Sequence, residues 1–194
     1  MTIKQIRAMV EDACRESANP FGYGIWSHHV VSVVAYSKLL AEQLGADEEI
    51  VELAALLHDY AAILDQSLYP EHHMHGARLA EELLVTDGYP RDRAERVGRC
   101  IISHRGSAPL PKESLEAEIL ATADAMAHFD NVSSLLYYTF AKRGMGIDEG
   151  TEWVIGKLER DWEKLMPQAR ELLSDKYEAI TAVLKPPSPR SPRS

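Results

Sequence analysis

Residues 52–64 read ELAALLHDYAAIL, and the fold turns on how that stretch is understood. Leu53, Ala54, Ala55, Leu56 and Leu57 lead into His58 and Asp59, and Ala61, Ala62, Ile63 and Leu64 follow them. A helix this apolar on nearly every face is normally buried. A lone buried carboxylate is costly and persists only when it is paired, hydrogen-bonded or bound to a metal. The stretch therefore predicts an interior helix, and it requires partners for His58 and Asp59 from elsewhere in the chain.

Outward from this helix, apolar spacing is helical almost throughout. Ile3, Ile6, Met9, Val10 and Ala13 predict a first helix, and NPFGYGIW reads as a turn. A second helix is expected from Ser27 to Leu44, stopped by Gly45. Asp47 suits the N-cap of a third, which carries His58 and Asp59, with Glu48 and Glu49 in its first turn. DQSLYPE reads as a loop, residues 72–86 as a fourth helix, and Pro90 suits the start of a fifth that ends near His104. After the RGSAPLPKES loop, two helices are expected between 114 and 142, broken near Asp130. A C-terminal pair follows, interrupted at Pro167. No segment alternates with period two. The expectation is an all-α bundle, one domain over residues 1–184, whose HD-bearing core lies at about 20–130, with C-terminal helices over 131–184. The tail at 185–194, rich in Pro, Ser and Arg, is expected to be flexible.

The 194 residues are 45% hydrophobic and 26% charged, ordinary values for a globular protein. The net charge of −9 argues against a binder of the nucleic-acid phosphate backbone but not against a small phosphorylated ligand. Cys14 and Cys100 are far apart and show no metal or redox spacing. No apolar run reaches the length of a membrane span, and MTIKQIRAMVEDACRES is not a signal peptide, so the expected location is cytoplasmic.

The eight histidines cluster in segments that resemble one another in setting. WSHHVVSVV opens a helix, LLHDYA is buried, EHHMHGA opens another helix, IISHRG closes one, and LATADAMAHF is apolar around Asp124. A helical bundle can gather such positions around one interior site. Imidazole and carboxylate without thiolate suit Mn, Fe, Ni, Co or Zn rather than a structural cysteine–zinc site.

In order and context, H … HD … H … H … D resembles the HD domain superfamily of metal-dependent phosphohydrolases, and the small stand-alone bacterial HD proteins in particular. His29 fits the first histidine, with Val33 and Ala41 at the expected distances, and His28 does not. The doublet is His58-Asp59, and the last aspartate is Asp124. His72 lies four residues before Gly76 and is preferred to His73 and His75, while SHRG supplies His104. The phrase HDYAA lacks the lysine that follows the doublet in many members.

The resemblance implies one metal on His29, His58, Asp59 and Asp124, and a second on His72 and His104 with Asp59 bridging. It implies one or two divalent transition-metal ions, Asp59 and His104 at the reacting atoms, and hydrolysis of a small phosphate ester such as a nucleotide. Arg105, directly after His104, is the candidate phosphate contact, because its fork of donors matches phosphate oxygens. Against it stands the ordinary role of a cation at a helix C-terminus. His73, His75 and His128 are expected to support the site, and His28 to be exposed. Two alternatives stay open: a diiron oxygenase with the same ligands, and a non-catalytic metal-binding module. Oligomeric state is not legible.

Overall fold

The computed structural model describes residues 1–105 and 110–185. The tail from 186 onward and residues 106–109 of the RGSAPLPKES loop lie outside the described residues. The fold is all-α, as expected, and the described residues contain no strand.

Helix α1 (Ile3–Arg15) is entered through a capping box. The Thr2 hydroxyl accepts from the Gln5 backbone N–H, and the Gln5 side chain accepts from that of Thr2. Ile6, Val10 and Cys14 form its buried stripe. Gly45 ends α2 (Val31–Leu44) at φ 72°, where a Cβ would be strained. Asp47 caps α3 (Glu48–Leu57) by accepting from the Ile50 N–H, and its carboxylate also receives Arg93 and Arg96 from α6 (Arg91–Ser103). Helix α5 (His72–Thr86) packs along α6, and α7 (Leu115–Asp130) runs through the centre. Its residues from Ile119 to Ala127 are all buried. One hydrophobic cluster on its flank draws on α1, α3, α5 and α6. A second draws on α9 (Ile147–Lys164) and α10 (Pro167–Leu184), where Trp162 and Tyr177 stack at 4.3 Å and Phe129 meets both rings edge-on. Pro167 is the first residue of α10, so the expected interruption falls where it was placed.

Three expectations need correction. The third helix does not run through His58 and Asp59. It stops at Leu57, Asp59 takes φ −103° and ψ 3°, and a new short helix, α4 (Tyr60–Leu64), starts with Ile63 N–H donating to the Asp59 carbonyl. Neither Gly nor Pro marks this break. It is tertiary: α5 packs so closely that a Cβ on Gly76 would lie 3.1 Å from the His58 carbonyl oxygen. The second helix does not begin as a regular α-helix at Ser27 but as a π turn, Trp26–Val30, carrying His29. DQSLYPE is no open loop, because Gln66–Glu71 forms a 3-10 turn whose Asp65 cap accepts from the Ser67 N–H. After α7, α8 (Val132–Tyr137) leads into a second π turn, Tyr138–Lys142.

Candidate metal centre

His58, His72 and His104 share one local design. Each is the residue on which a helix ends: α3, the 3-10 turn and α6 respectively. Carbonyls in a last helical turn lack a continuing helix to bond them. Each imidazole fills that gap by donating Nδ1–H to the carbonyl three residues back: Ala55 at 2.8 Å, Tyr69 at 2.8 Å and Ile101 at 2.5 Å. The bond fixes ring and tautomer together, so that each Nε2 is left as a bare lone pair directed inward.

These lone pairs converge. His58 Nε2 lies 3.1 Å from His29 Nε2, and His72 Nε2 lies 3.2 Å from His104 Nε2. Asp59 stands between the pairs, with Oδ2 3.4 Å from His29 and 3.3 Å from His58, and Oδ1 3.4 Å from His72. Asp124 Oδ1 approaches His29 Nε2 at 3.4 Å. The structure therefore brings together all six residues nominated as ligands: His29, His58, Asp59, His72, His104 and Asp124. Asp59 belongs to two groups able to hold a metal ion, one with His29 and His58, the other with His72 and His104. His29, Asp124 and His128 make a third. The donor set fits a divalent transition metal. Facing lone pairs about 3 Å apart repel unless a proton or a metal ion lies between them, and the carboxylates supply the opposing charge.

The local field points the same way. Burial disfavours charge on His58, but Asp59 and Asp124 outweigh it and push the ring up to about 9. Burial would raise Asp59, yet His58, His29 and His72 hold it well below the usual carboxylate range. Burial and the proximity of His58 push His104 down to about 3. Without a metal, the site thus takes a proton at one imidazole and keeps another neutral.

His28 is exposed and bonds Ser27, His75 is half-buried, and His73 is buried with its ring edge toward His72. His128 stacks on His29 at 5.0 Å. Arg105 turns its guanidinium to the Pro70 carbonyl and is not among the residues that line the adjoining cavity. That cavity, about 500 Å³, opens over His29, Asp59 and His128 and is walled by Phe21, Tyr23, Tyr69, Tyr137, Tyr138 and Trp153. Two of its residues, Lys142 and Lys157, escaped the sequence reading. So did Asp161, whose side chain is 1% exposed and which receives Lys157 at 2.7 Å, Lys164 at 2.8 Å and His128 Nδ1 at 3.0 Å.

The sequence model of the HD domain matches residues 26–128, more than half of the chain. The chain belongs to the HD domain family. The match takes in all six converging residues and ends at His128, before α8, α9 and α10. Among curated relatives, ribonuclease Y of Rubrobacter xylanophilus is 31% identical over 99 residues, 51% of this chain and 17% of that protein. Ribonuclease Y of Thermoanaerobacter pseudethanolicus is 29% identical over 99 residues, 18% of its length. The chain thus spans less than a fifth of the curated relatives it matches. Bacillus subtilis YpgQ in complex with ADP superposes with a TM-score of 0.71 at 20% identity, over 94% of both chains. A predicted HD superfamily hydrolase from an uncultured Thermotogales bacterium gives 0.62 at 22% identity, over 93% of this chain and 88% of that one. These likenesses show that the HD fold extends through the C-terminal helices.

Proposed function

We propose that this HD-domain chain, with residues 1–184 acting as one domain, is a metal-dependent phosphohydrolase of a small phosphate ester, with nucleotides the leading class. The observation that carries the reading is the convergence of three oriented Nε2 lone pairs and His29 on Asp59 and Asp124, with His29 and Asp59 opening on a cavity. His29, His58, Asp59 and Asp124 would hold one ion, and Asp59, His72 and His104 a second. The metal, one of Mn, Fe, Ni, Co or Zn, supplies Lewis acidity and a bound water acidic enough to ionise near neutral pH.

The chain's own residues do the rest. Asp59 spans both groups with one oxygen each and so fixes their spacing. His104 stays neutral and keeps its lone pair available. The aromatic walls offer faces on which a flat ring can stack. The ADP bound to YpgQ supports a nucleotide. The net charge of −9 weighs against a nucleic-acid polymer, and the ribonuclease Y relatives share too little of their length with this chain to weigh for one. Arg105 is kept as a phosphate contact on the His104 side, where it would exchange the Pro70 carbonyl for a phosphate oxygen.

The test is elemental analysis of the purified protein, then a panel of phosphate esters with the metal found. Phosphate release that disappears in Asp59→Ala is expected. Iron-dependent oxygen uptake with no phosphate release from any ester would sink the reading in favour of an oxygenase. For Arg105, loss of a charged hydrogen bond of about 1.5–3 kcal/mol predicts a roughly tenfold to hundredfold fall in kcat/KM on substitution by Ala. Undiminished hydrolysis would return Arg105 to a helix-end cation.

A further inference from the structure

We propose that Lys157 is the anion-binding cation of the cavity and that Asp161 is the residue that positions it. The proposal rests on the phosphohydrolase reading only in taking the anion to be a phosphate. It adds a subsite on α9, outside the residues matched by the HD domain model.

The first argument is charge. Asp161 is one carboxylate serving two ammonium groups: Lys157 and His128 share its Oδ2, at 2.7 and 3.0 Å, and Lys164 takes Oδ1 at 2.8 Å. Two ammonium groups thus share one carboxylate in direct contact. Asp124 feels both lysines but has its own oxygen against His29.

The second argument is direction. Lys157 lines the cavity next to His128, and Lys164 does not. The only Lys or Arg side chains among the described residues lining the cavity are Lys142 and Lys157, and the only carboxylate is Asp59 of the metal centre. In a chain of net charge −9, this wall is locally reversed in sign. An ammonium has three N–H donors. Lys157 gives one to Asp161 and has His128 Nδ1 at 3.2 Å, which leaves one for a ligand. Lys142, exposed and lying over the Tyr137 ring at 5.8 Å, marks the mouth of the same wall.

The third argument is reach. Lys157 lines the cavity with His29 and His128, and Arg105 lies at the opposite, His72–His104 end. A phosphate over the metal centre would be met from the α9 side by Lys157.

The experiment is calorimetric titration of ADP and of inorganic phosphate into the metal-loaded protein, with hydrolysis and metal content measured separately. Lys157→Met should weaken both probes roughly tenfold to hundredfold with metal content unchanged. Lys164→Met removes the same kind of ion pair from the side away from the cavity and should leave both affinities within about threefold. Lys157→Arg should recover part of the loss. Asp161→Asn should weaken both probes without releasing metal, because Lys157 is then free to turn away. Equal losses in Lys157→Met and Lys164→Met would mean a purely structural ion cluster and overturn the proposal. Unchanged binding in Lys157→Met overturns it as well, as does failure of the wild-type chain to bind either probe. If Lys157→Met does not fold, the wild-type chain decides: ADP should slow amine labelling of Lys157 and not of Lys164, and equal rates reject the site. Lys157-dependent ADP binding with no hydrolysis of any ester would refute the phosphohydrolase reading and leave the anion site standing.

Discussion

Replacing Asp161 by Asn tests whether α9 is anchored by charge. The side chain is 1% exposed and holds two ammonium groups at 2.7 and 2.8 Å. Asn keeps the shape and removes the charge, which leaves Lys157 and Lys164 without a counter-ion. Breaking a buried pair in this way costs about 3–5 kcal/mol. The two lysine side chains are 23% and 18% exposed, so water recovers part of that, and about 2–4 kcal/mol remains. For a chain of this length each kcal/mol moves Tm by about 2–4 °C, which gives a fall of about 4–16 °C. Thermal unfolding followed by far-ultraviolet circular dichroism at pH 7 measures it. Burial would raise the Asp161 carboxyl, but His128, Lys157 and Lys164 outweigh burial and hold it far below the usual range. A depressed carboxyl stabilises above its unfolded pKa of about 3.9, and that stabilisation drains away as pH falls below it. The gap between wild type and Asp161→Asn should therefore be full at pH 7 and shrink below about pH 4. Combining Asp161→Leu with Lys157→Met and Lys164→Met should restore most of the lost stability, because an apolar replacement of a whole ion cluster is often neutral or better. A Tm within about 2 °C of wild type for Asp161→Asn at pH 7 would refute the reasoning.

His58→Ala and Asp59→Ala should abolish metal binding, whereas His72→Ala and His104→Ala should leave the His29–Asp124 group partly loaded; equal, complete loss in all four variants by elemental analysis would mean one coupled site. Gly76→Ala should lower metal affinity more than stability, because its Cβ would press the His58 carbonyl from 3.1 Å and shift the residue that carries the ring; metal affinity unchanged from wild type would show that the break at His58 tolerates displacement. In the metal-free protein, His58 sits at about 9 against an unfolded value near 6.5, so its contribution should be complete below about pH 6.5 and lost as pH rises through 9. Metal loading should show the opposite trend, tightening as pH rises because the ion displaces that proton; a chelator-treated protein equally stable at pH 6 and pH 9.5 argues against a proton held there.

Much of the bundle was legible because helical periodicity, Gly45, Asp47 and Pro167 act through local physics that one strand of sequence carries. The missed features are those decided elsewhere in the chain. Nothing between Leu57 and Tyr60 breaks a helix by itself; Gly76, many residues away, lets α5 approach closely enough that the path bends. The π turn at His29 is similarly silent, since WSHHV has ordinary helical residues. The six converging residues were legible because a buried imidazole or carboxylate is chemically conspicuous in an apolar setting.

Lys157, Asp161 and Lys164 were not legible for the opposite reason. At i, i+4 and i+7 they read as the solvent-facing ion pairs of an ordinary amphipathic helix. Their burial depends on α9 lying against α7, where His128 offers an imidazole one helical turn past Asp124. The same three side chains on a free helix would contribute a few tenths of a kcal/mol. Pressed against His128 they set two ammonium groups on one buried carboxylate, and one of the two, Lys157, lines a cavity. The six converging residues are therefore a property of residue type within the HD segment, and the Lys157 side of the cavity wall is a property of packing by helices beyond it. Two HD chains with identical metal ligands can differ in the ligand they accept through α9 alone.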